Sequence, residues 1–253
     1  MTSRIEIRIL LTAILFLIPI TAGLTTYVLL EVKEDALLST STNAYSPPKD
    51  IGSLVELVSE SLVTINCQDV LGSGFSFGLD SYDLNNGFRF RSEAAQNAPS
   101  TIVTNHHVLE DCLITNKVEV IGPGGKKYPG EILEFDEVND LALVRIESEI
   151  PKLFGASYKP SPGYWTMALG SPHGLGGSVT FGNIINFDSP LVFHSASLSP
   201  GNSGGPLVEN VGWVYGVNTG SKPIGQNFNI SVGVNAFCDR LIICEKRKYW
   251  EDK

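Results

Sequence analysis

The chain has little positive charge, and this limits the partners that it can bind. Its 253 residues include 18 lysines and arginines against 27 aspartates and glutamates, which gives a formal net charge of −9 at pH 7. Such a balance would repel nucleic-acid phosphates, so we expect no nucleic-acid partner. The histidines and cysteines also lack the Cys-x-x-Cys and His-Glu-x-x-His spacings of metal ligands. The sequence therefore predicts neither a metal nor a cofactor.

A long apolar segment occurs only at the N-terminus, where residues 9–30 carry no charge. At about 1.5 Å per residue, a helix of this length matches a hydrocarbon core about 30 Å thick. Basic residues within 1–8 predict a cytoplasmic N-terminus and a single-pass anchor in the cell membrane, with the rest of the chain outside. The alternative is a signal peptide cleaved near residues 21–23, which would give a secreted protein.

The remainder of the chain divides into a linker and a globular domain. Residues 31–50 are rich in serine, threonine and proline and predict a flexible linker. Residues 51–253 contain short apolar runs separated by glycines and prolines, a pattern typical of an all-β fold. One polar stretch, at about 80–100, is interpreted as an expanded and solvated hairpin loop.

The most informative stretch is Ser199-Pro-Gly-Asn-Ser-Gly-Gly-Pro-Leu207, which places Ser203 in a run of glycines. A serine hydroxyl is a poor nucleophile unless a base takes its proton and nearby donors stabilise the oxyanion. Small residues allow a turn tight enough to direct the backbone N–H groups of Gly201 and Ser203 at one point. The alternative is a glycine-rich hairpin turn that contains an incidental serine.

Two further segments supply the base and the acid that such a serine needs. Thr101-Ile-Val-Thr-Asn-His-His-Val-Leu109 is a short apolar strand that breaks into a turn with two histidines. Asp140-Leu-Ala-Leu-Val-Arg-Ile146 is a strand with an aspartate at its start. A catalytic triad requires one imidazole that accepts the serine proton and one carboxylate that fixes the tautomer of that imidazole.

These three segments resemble those of the trypsin-like serine proteases, and specifically of their HtrA/Deg branch. That branch has a Thr-Asn-x-His-Val block, an Asp-Leu-Ala-Val-type strand and a Gly-Asn-Ser-Gly-Gly-Pro-Leu block. Matched residue by residue, the base falls on His107, the acid on Asp140 and the nucleophile on Ser203. Weaker matches at Gly72-Ser-Gly-Phe75 and Ala168-Leu-Gly-Ser-Pro-His-Gly-Leu-Gly176 extend the resemblance over about residues 54–238.

The other titratable residues near these motifs are interpreted as non-catalytic. Adjacent residues point in different directions, so only one of the two neighbouring histidines can face Ser203, and the family block selects His107. The remaining candidates are interpreted as exposed, loop or strand residues: His106, His173, His194, Asp111, Asp136 and Glu137.

The resemblance implies a chymotrypsin-like architecture of two antiparallel six-stranded β-barrels. The first barrel is expected at about 54–150 and the second at about 155–238, followed by a short C-terminal helix at about 236–250. In this architecture His107 and Asp140 come from the first barrel and Ser203 from the second. The site would lie in the cleft between them.

Four cysteines fit an oxidising exterior, although four reduced cysteines are the alternative. The resemblance favours a bond between Cys67 and Cys112, because some trypsin-like enzymes have a disulfide beside the histidine loop. Cys238 and Cys244 would lie on different faces of the predicted C-terminal helix, too far apart to bond.

The function implied by the resemblance is that of a serine endopeptidase acting on extracytoplasmic polypeptides through an acyl-enzyme. A role in protein quality control would suit this branch. Backbone N–H groups of Gly201 and Ser203 would form the oxyanion hole. The substrate pocket is predicted to have Ser197 at its floor and Val217, Thr219 and Gly233 in its walls, and it would suit small or medium apolar side chains. The alternative is a catalytically latent fold that binds proteins without cutting them.

The sequence also departs from the family pattern in two places. His194-Ser-Ala196 stands where many members have Thr-Asp-Ala, next to the serine loop. Members of the branch usually continue into PDZ domains, whereas this sequence ends at Lys253, so we expect no PDZ domain. The resemblance also allows an oligomer formed through the N-terminal segment, as in that family.

Overall fold

The computed structural model describes residues 43–68, 70–171, 177–221, 228–238, 240–246 and 249–250. The predicted membrane segment at 9–30, residues 1–8 and most of the linker lie outside the described residues. Within the described ranges, no helix is both long enough and apolar enough to cross a membrane.

The described residues form fifteen strands, four short α-helices and three 3₁₀ turns. The strands are β1 (Leu62–Cys67), β2 (Val70–Gly78), β3 (Phe88–Phe90), β4 (Ser100–Thr104), β5 (Lys117–Ile121), β6 (Lys127–Asp136), β7 (Leu141–Ile146), β8 (Leu153–Phe154), β9 (Trp165–Gly170), β10 (Ser178–Asp188), β11 (Leu191–His194), β12 (Pro206–Val208), β13 (Val214–Ser221), β14 (Asn229–Gly233) and β15 (Ile242–Cys244). The helices are α1 (Ile51–Ser59), α2 (Ser81–Asn85), α3 (Glu93–Asn97) and α4 (His106–Leu109). The 3₁₀ turns are Glu110–Cys112, Pro123–Gly125 and Val234–Phe237.

Twelve of the strands close into two antiparallel barrels, which confirms the predicted architecture. The first barrel has the order β1-β5-β6-β7-β4-β2, with β2 pairing back to β1, and β8 adds a short parallel pairing to β2. The second barrel has the closed order β10-β11-β14-β13-β12-β9.

Strand β7 shows why the segment after Asp140 is almost continuously apolar. Ala142 and Val144 pack inside the first barrel, whereas Leu141 and Leu143 belong to a core that also contains residues of the second barrel. Both faces of the strand are therefore buried. Asp140 directly precedes this strand and lies at the edge of the surface that the two barrels share.

The predicted C-terminal helix at 236–250 is wrong. A single 3₁₀ turn is followed by β15, which pairs antiparallel with β3. Cys238 is bonded to Cys244, with 5.5 Å between their Cα atoms, so the expectation that these residues lie too far apart is also wrong. Phe237, Leu241 and Ile242 are fully buried, and their spacing along the sequence is also compatible with a broad apolar face of a helix. The chain instead turns back on itself between the two cysteines.

The polar stretch at 80–100 is a folded insertion rather than a solvated loop. It contains α2, β3 and α3, and its strand β3 pairs with β15 near the C-terminus. Asp83 in α2 is buried, with 1% of its surface exposed, and its carboxylate accepts a hydrogen bond of 2.7 Å from the Tyr249 hydroxyl. The insertion and the C-terminal segment therefore share one buried polar contact.

This contact makes a prediction about pH and stability. Burial raises the pKa of Asp83 to about 6, in spite of the hydrogen bond from Tyr249. Because the folded carboxyl keeps its proton to a higher pH than the unfolded one, stability is lost as pH rises from about 4 to 6. We expect Asp83→Asn to raise the free energy of unfolding by on the order of 1–3 kcal/mol at pH 7.5, and to add little at pH 4.

Urea denaturation at the two pH values measures this difference. Asp111→Asn serves as a matched control, because the side chain of Asp111 is exposed. A gain of equal size at both pH values would show that the charge of Asp83 is not its cause.

Candidate active site

The structure brings His107 and Asp140 into direct contact. Strand β4 ends at Thr104, and helix α4 then turns the second histidine of the pair toward the start of β7. His107 Nδ1 lies 2.8 Å from one carboxylate oxygen of Asp140 and 3.0 Å from the other. The backbone N–H of His107 donates to the same carboxylate at 3.0 Å. With a proton on Nδ1, the Nε2 atom of the ring can act as an acceptor.

Several groups hold the Asp140 carboxylate in place. Asp140 has a left-handed backbone conformation (φ 54°), and its carbonyl accepts a hydrogen bond of 2.7 Å from the Asn105 amide. The Thr219 hydroxyl donates to the carboxylate at 2.5 Å. Burial opposes ionisation, but the hydrogen bonds from His107 and Thr219 keep the pKa of Asp140 below its ordinary value. Asp140 is therefore an anion at neutral pH.

Asp136, one of the rival acids, supports the turn that carries Asp140. Its carboxylate accepts hydrogen bonds of 3.1 and 3.3 Å from the backbone N–H groups of Val138 and Asn139. It also forms an ion pair of 3.6 Å with Arg240. Asp136 therefore has a structural role at the predicted site.

Ser203 lies in a tight loop in which Gly204 fits closely against strand β2 of the first barrel. Gly204 has φ 88°, and a Cβ atom there would lie only 2.0 Å from the carbonyl oxygen of Ser73. No other residue fits at that position without moving the backbone. Within the described part of the chain, the backbone N–H groups of Gly201 and Ser203 have no hydrogen-bond acceptor. These two N–H groups are the predicted oxyanion hole.

Thr219 connects the serine to the histidine–aspartate pair. The Ser203 hydroxyl donates a hydrogen bond of 3.3 Å to the Thr219 carbonyl, while the Thr219 side chain contacts Asp140. The pairing of β13 with β14 is irregular between Asn218 and Gly220, and such an irregularity redirects the intervening residue. The sequence predicts Thr219 as a wall of the substrate pocket. The contact with Asp140 is missed, since no sequence motif indicates it.

A cavity of about 190 Å³ lies beside Ser203. Its described lining consists of Leu198, Ser199, Pro200, Ser203 and Gly220. None of the four predicted pocket residues is in this described lining: Thr219 contacts Asp140, and the other three are Val217, Gly233 and Ser197.

Each of these three residues has a different environment. Val217 is fully buried in the core of the second barrel. A Cβ atom at Gly233 would meet the ring of Trp250 at 2.6 Å. Ser197 is exposed, and its carbonyl accepts a hydrogen bond of 2.8 Å from Thr180.

The two other described histidines, His106 and His194, do not join the site. His106 packs its ring beside that of Phe135, with 5.0 Å between the ring centroids. His173 lies outside the described residues. His194 is fully buried, with its Nε2 atom 3.0 Å from the Ser231 hydroxyl, and burial lowers its pKa to about 4. His194 is therefore neutral at physiological pH.

A disulfide lies beside the histidine helix. Cys67 at the end of β1 is bonded to Cys112, which follows α4, with 5.8 Å between their Cα atoms. This is the pair that the resemblance favours. Among the described residues, no group of three histidine, cysteine, aspartate or glutamate side chains could hold a metal ion.

Comparison with known families confirms the resemblance to the trypsin-like proteases. The sequence profile of the family described as "Trypsin-like peptidase domain" matches residues 85–217, which is more than half of the chain. The chain belongs to the trypsin-like peptidase family. Among curated proteins, it is similar to the probable periplasmic serine endoprotease DegP-like of Chlamydia pneumoniae, with 40% identity over 159 residues. That alignment covers 56% of this chain and 32% of the relative.

Other relatives place this trypsin-like peptidase with the HtrA-type serine proteases. It is 33% identical to the putative serine protease HhoB of Synechocystis over 147 residues, which cover 53% of this chain and 35% of the relative. A DegP-like relative from Rickettsia prowazekii is 28% identical over 249 residues, which cover 92% of this chain and 45% of the relative. The chain thus spans less than half the length of these curated relatives.

Two solved structures share the fold of this trypsin-like peptidase. The serine endoprotease from Yersinia pestis superposes with a TM-score of 0.60 at 24% identity, over 76% of this chain and 65% of that one. The Rv3671c protease in an inactive form gives a TM-score of 0.59 at 21% identity, over 75% of this chain and 93% of that one.

Proposed function

We propose that this trypsin-like peptidase is a serine endopeptidase that cleaves polypeptides through the triad His107, Asp140 and Ser203. The observation that carries the proposal is the anchoring of His107 Nδ1 on Asp140, at 2.8 Å, with Thr219 bridging that pair to Ser203. The family and its serine protease relatives support the same class of reaction.

The reaction begins with the hydroxyl of Ser203. Rotation of that hydroxyl from the Thr219 carbonyl toward His107 allows Nε2 to take its proton as Oγ attacks the peptide carbonyl. The N–H groups of Gly201 and Ser203 stabilise the oxyanion, and losing one such donor lowers kcat by about 10²–10³-fold. Ionised Asp140 stabilises the imidazolium that forms.

The second half of the reaction restores the enzyme. His107 gives its proton to the leaving amine, and the acyl group stays on Ser203 as an ester. His107 then takes a proton from water as that water attacks the ester carbonyl, and it returns the proton to Ser203 Oγ as the C–Oγ bond breaks and the acid product leaves. The cavity formed by Leu198 and Pro200 suits a small or medium apolar side chain beside the scissile bond.

The compartment of this reaction is proposed to lie outside the cytoplasm. Two disulfides support an oxidising compartment, and several relatives are described as periplasmic. The apolar segment at 9–30 would anchor the protein in the cell membrane or direct its secretion. The substrates proposed are polypeptides of that compartment.

Labelling with a fluorophosphonate probe tests the proposal, because only an activated serine reacts with it. The full chain is expected to be labelled, Ser203→Ala is expected to give no labelling, and Ser81→Ala, at an exposed serine of α2, is expected to react. Cleavage of a quenched fluorescent unfolded protein should follow the same order. A folded parent chain that neither reacts nor cleaves would overturn the proposal and favour a latent binding fold.

A further inference from the structure

Two sequence motifs outside the triad meet behind the serine loop. Ser73, from the Gly72-Ser-Gly-Phe75 motif, is fully buried in β2, and Ser171 directly follows β9. The Ser73 hydroxyl donates to the Gly201 carbonyl at 2.5 Å and accepts from the backbone N–H of Ser171 at 2.7 Å. The backbone N–H of Ser73 donates to the Ser203 carbonyl at 2.7 Å. One residue of the first barrel thus holds both residues of the predicted oxyanion hole.

We propose that Ser73 is a positioning residue that fixes the oxyanion hole through the Gly201 carbonyl. This inference rests on the proposed function, since it assigns the N–H groups of Gly201 and Ser203 to the transition state. Ser73 itself touches neither substrate nor reacting atoms.

The direction of the hydrogen bond at Ser73 is determined by its partners. The Ser171 N–H can only donate, so the Ser73 oxygen accepts from it, and the one hydroxyl proton of Ser73 goes to the Gly201 carbonyl. The contact with Ser171 is buried and the one with Gly201 is partly buried, so removing the hydroxyl takes away the protein partner of the Gly201 carbonyl and of the Ser171 N–H.

Gly201 needs such an anchor because its backbone is otherwise free to turn. Its φ is 97°, a conformation that glycine enters and leaves without a Cβ penalty. A rotation about the backbone bonds of Gly201 would turn its N–H away from the point that the Ser203 N–H also faces. The hydrogen bond from Ser73 fixes the carbonyl side of Gly201 and thereby limits that rotation.

The surroundings of Ser73 hold it in place for this role. The Thr104 hydroxyl donates to the Ser73 carbonyl at 2.6 Å. A Cβ atom at Gly72 would lie 2.6 Å from Val108, which follows His107 in α4. Strand β2 is therefore packed between the helix of the proposed base and the loop of the proposed nucleophile. The Gly-Ser-Gly sequence allows this close approach on one side of Ser73.

Ser73→Ala tests the inference, with Ser76→Ala as a matched control. Ser76 is a fully buried serine of the same strand, and its hydroxyl donates to the Ile150 carbonyl at 3.2 Å. We expect Ser73→Ala to lower kcat for a peptide substrate by roughly 10–100-fold with little change in KM, somewhat less than the loss of an oxyanion donor itself. Ser76→Ala is expected to stay within about 3-fold of the parent for both constants.

Inhibitor affinity separates a positioning role from a general structural one. A peptide boronate, which forms a tetrahedral adduct with an oxyanion, should bind Ser73→Ala more weakly in proportion to the loss in kcat. A cleaved product peptide, which forms no such adduct, should bind the variant and the parent equally. Unchanged kcat and boronate affinity in folded Ser73→Ala would overturn the inference, and so would an equal weakening of both ligands.

A second variant covers the case in which Ser73→Ala does not fold. Ser73→Cys keeps the size of the side chain and a weaker donor, and thiol alkylation verifies that both disulfides are intact. An intermediate loss of kcat, roughly 3–10-fold, is expected, whereas parental kcat would overturn the inference. Failure of the proposed function is distinguishable, because it would appear as an inactive and unlabelled parent chain.

Discussion

Replacing Asp140 with asparagine is expected to lower kcat by about 10⁴-fold while the fold stays intact. Three donors converge on this carboxylate: the backbone N–H of His107, its ring Nδ1 and the Thr219 hydroxyl. An asparagine offers one acceptor oxygen and an NH₂ group that must face one of these donors. When that partner is the ring, Nδ1 becomes the acceptor and the proton moves to Nε2. A ring that is protonated on Nε2 cannot take the proton of Ser203.

Steady-state kinetics on one peptide substrate measure this loss. Asp111→Asn and Glu137→Gln are the matched controls, because these acids lie near the histidine and aspartate motifs in the sequence and are exposed. Both controls are expected to keep kcat within about 3-fold of the parent. A loss of less than 10-fold in folded Asp140→Asn would argue against Asp140 as the acid of the triad.

Removing the Cys67–Cys112 disulfide is expected to cost about 4 kcal/mol of stability in the chain-entropy view. The bond closes a loop with a sequence separation of 45, whereas the Cys238–Cys244 bond closes one of only 6. The unfolded chain gains more conformational freedom when the longer loop is opened. Removing the Cys238–Cys244 disulfide should therefore lower the free energy of unfolding by only about 2 kcal/mol. The two double serine variants should therefore differ clearly in their resistance to urea.

Urea titrations of the parent and both double variants give these values from the midpoints and slopes. The Cys238→Ser/Cys244→Ser variant is the internal control, since all four cysteines are buried and each variant replaces two of them. Equal losses for the two variants, or a larger loss for the short loop, would contradict the loop-length explanation.

Local patterns predict the short strands, whereas the two barrels and the pairing of His107 with Asp140 are predicted from the family resemblance. His107 follows the apolar strand β4 and Asp140 precedes the apolar strand β7. The end of a strand fixes the position of the residues next to it. The run after Asp140 is apolar on both faces, since it packs inside one barrel and also against the core that includes the other. Family motifs then decide between His106 and His107, a choice that pattern alone leaves open.

The sequence does not predict the contacts that depend on distant partners. The apolar spacing of Phe237, Leu241 and Ile242 fits a helix, yet a disulfide and the pairing of β15 with β3 determine the path there. Thr219 turns toward Asp140 through an irregular strand pairing that has no local signal. The same holds for Ser73, whose motif indicates a close approach of the backbone but not its hydrogen bond to Gly201.

The pairing of β3 with β15 has a consequence for the protein while it is being made. Residues 88–90 leave the ribosome long before residues 242–244, and at about 5–20 residues per second the interval is roughly 8–30 s. During that time Phe88 and Phe90, both buried in the finished molecule, have no strand to pair with. The emerging chain therefore exposes this apolar strand to the cell's chaperones until β15 has also been synthesised.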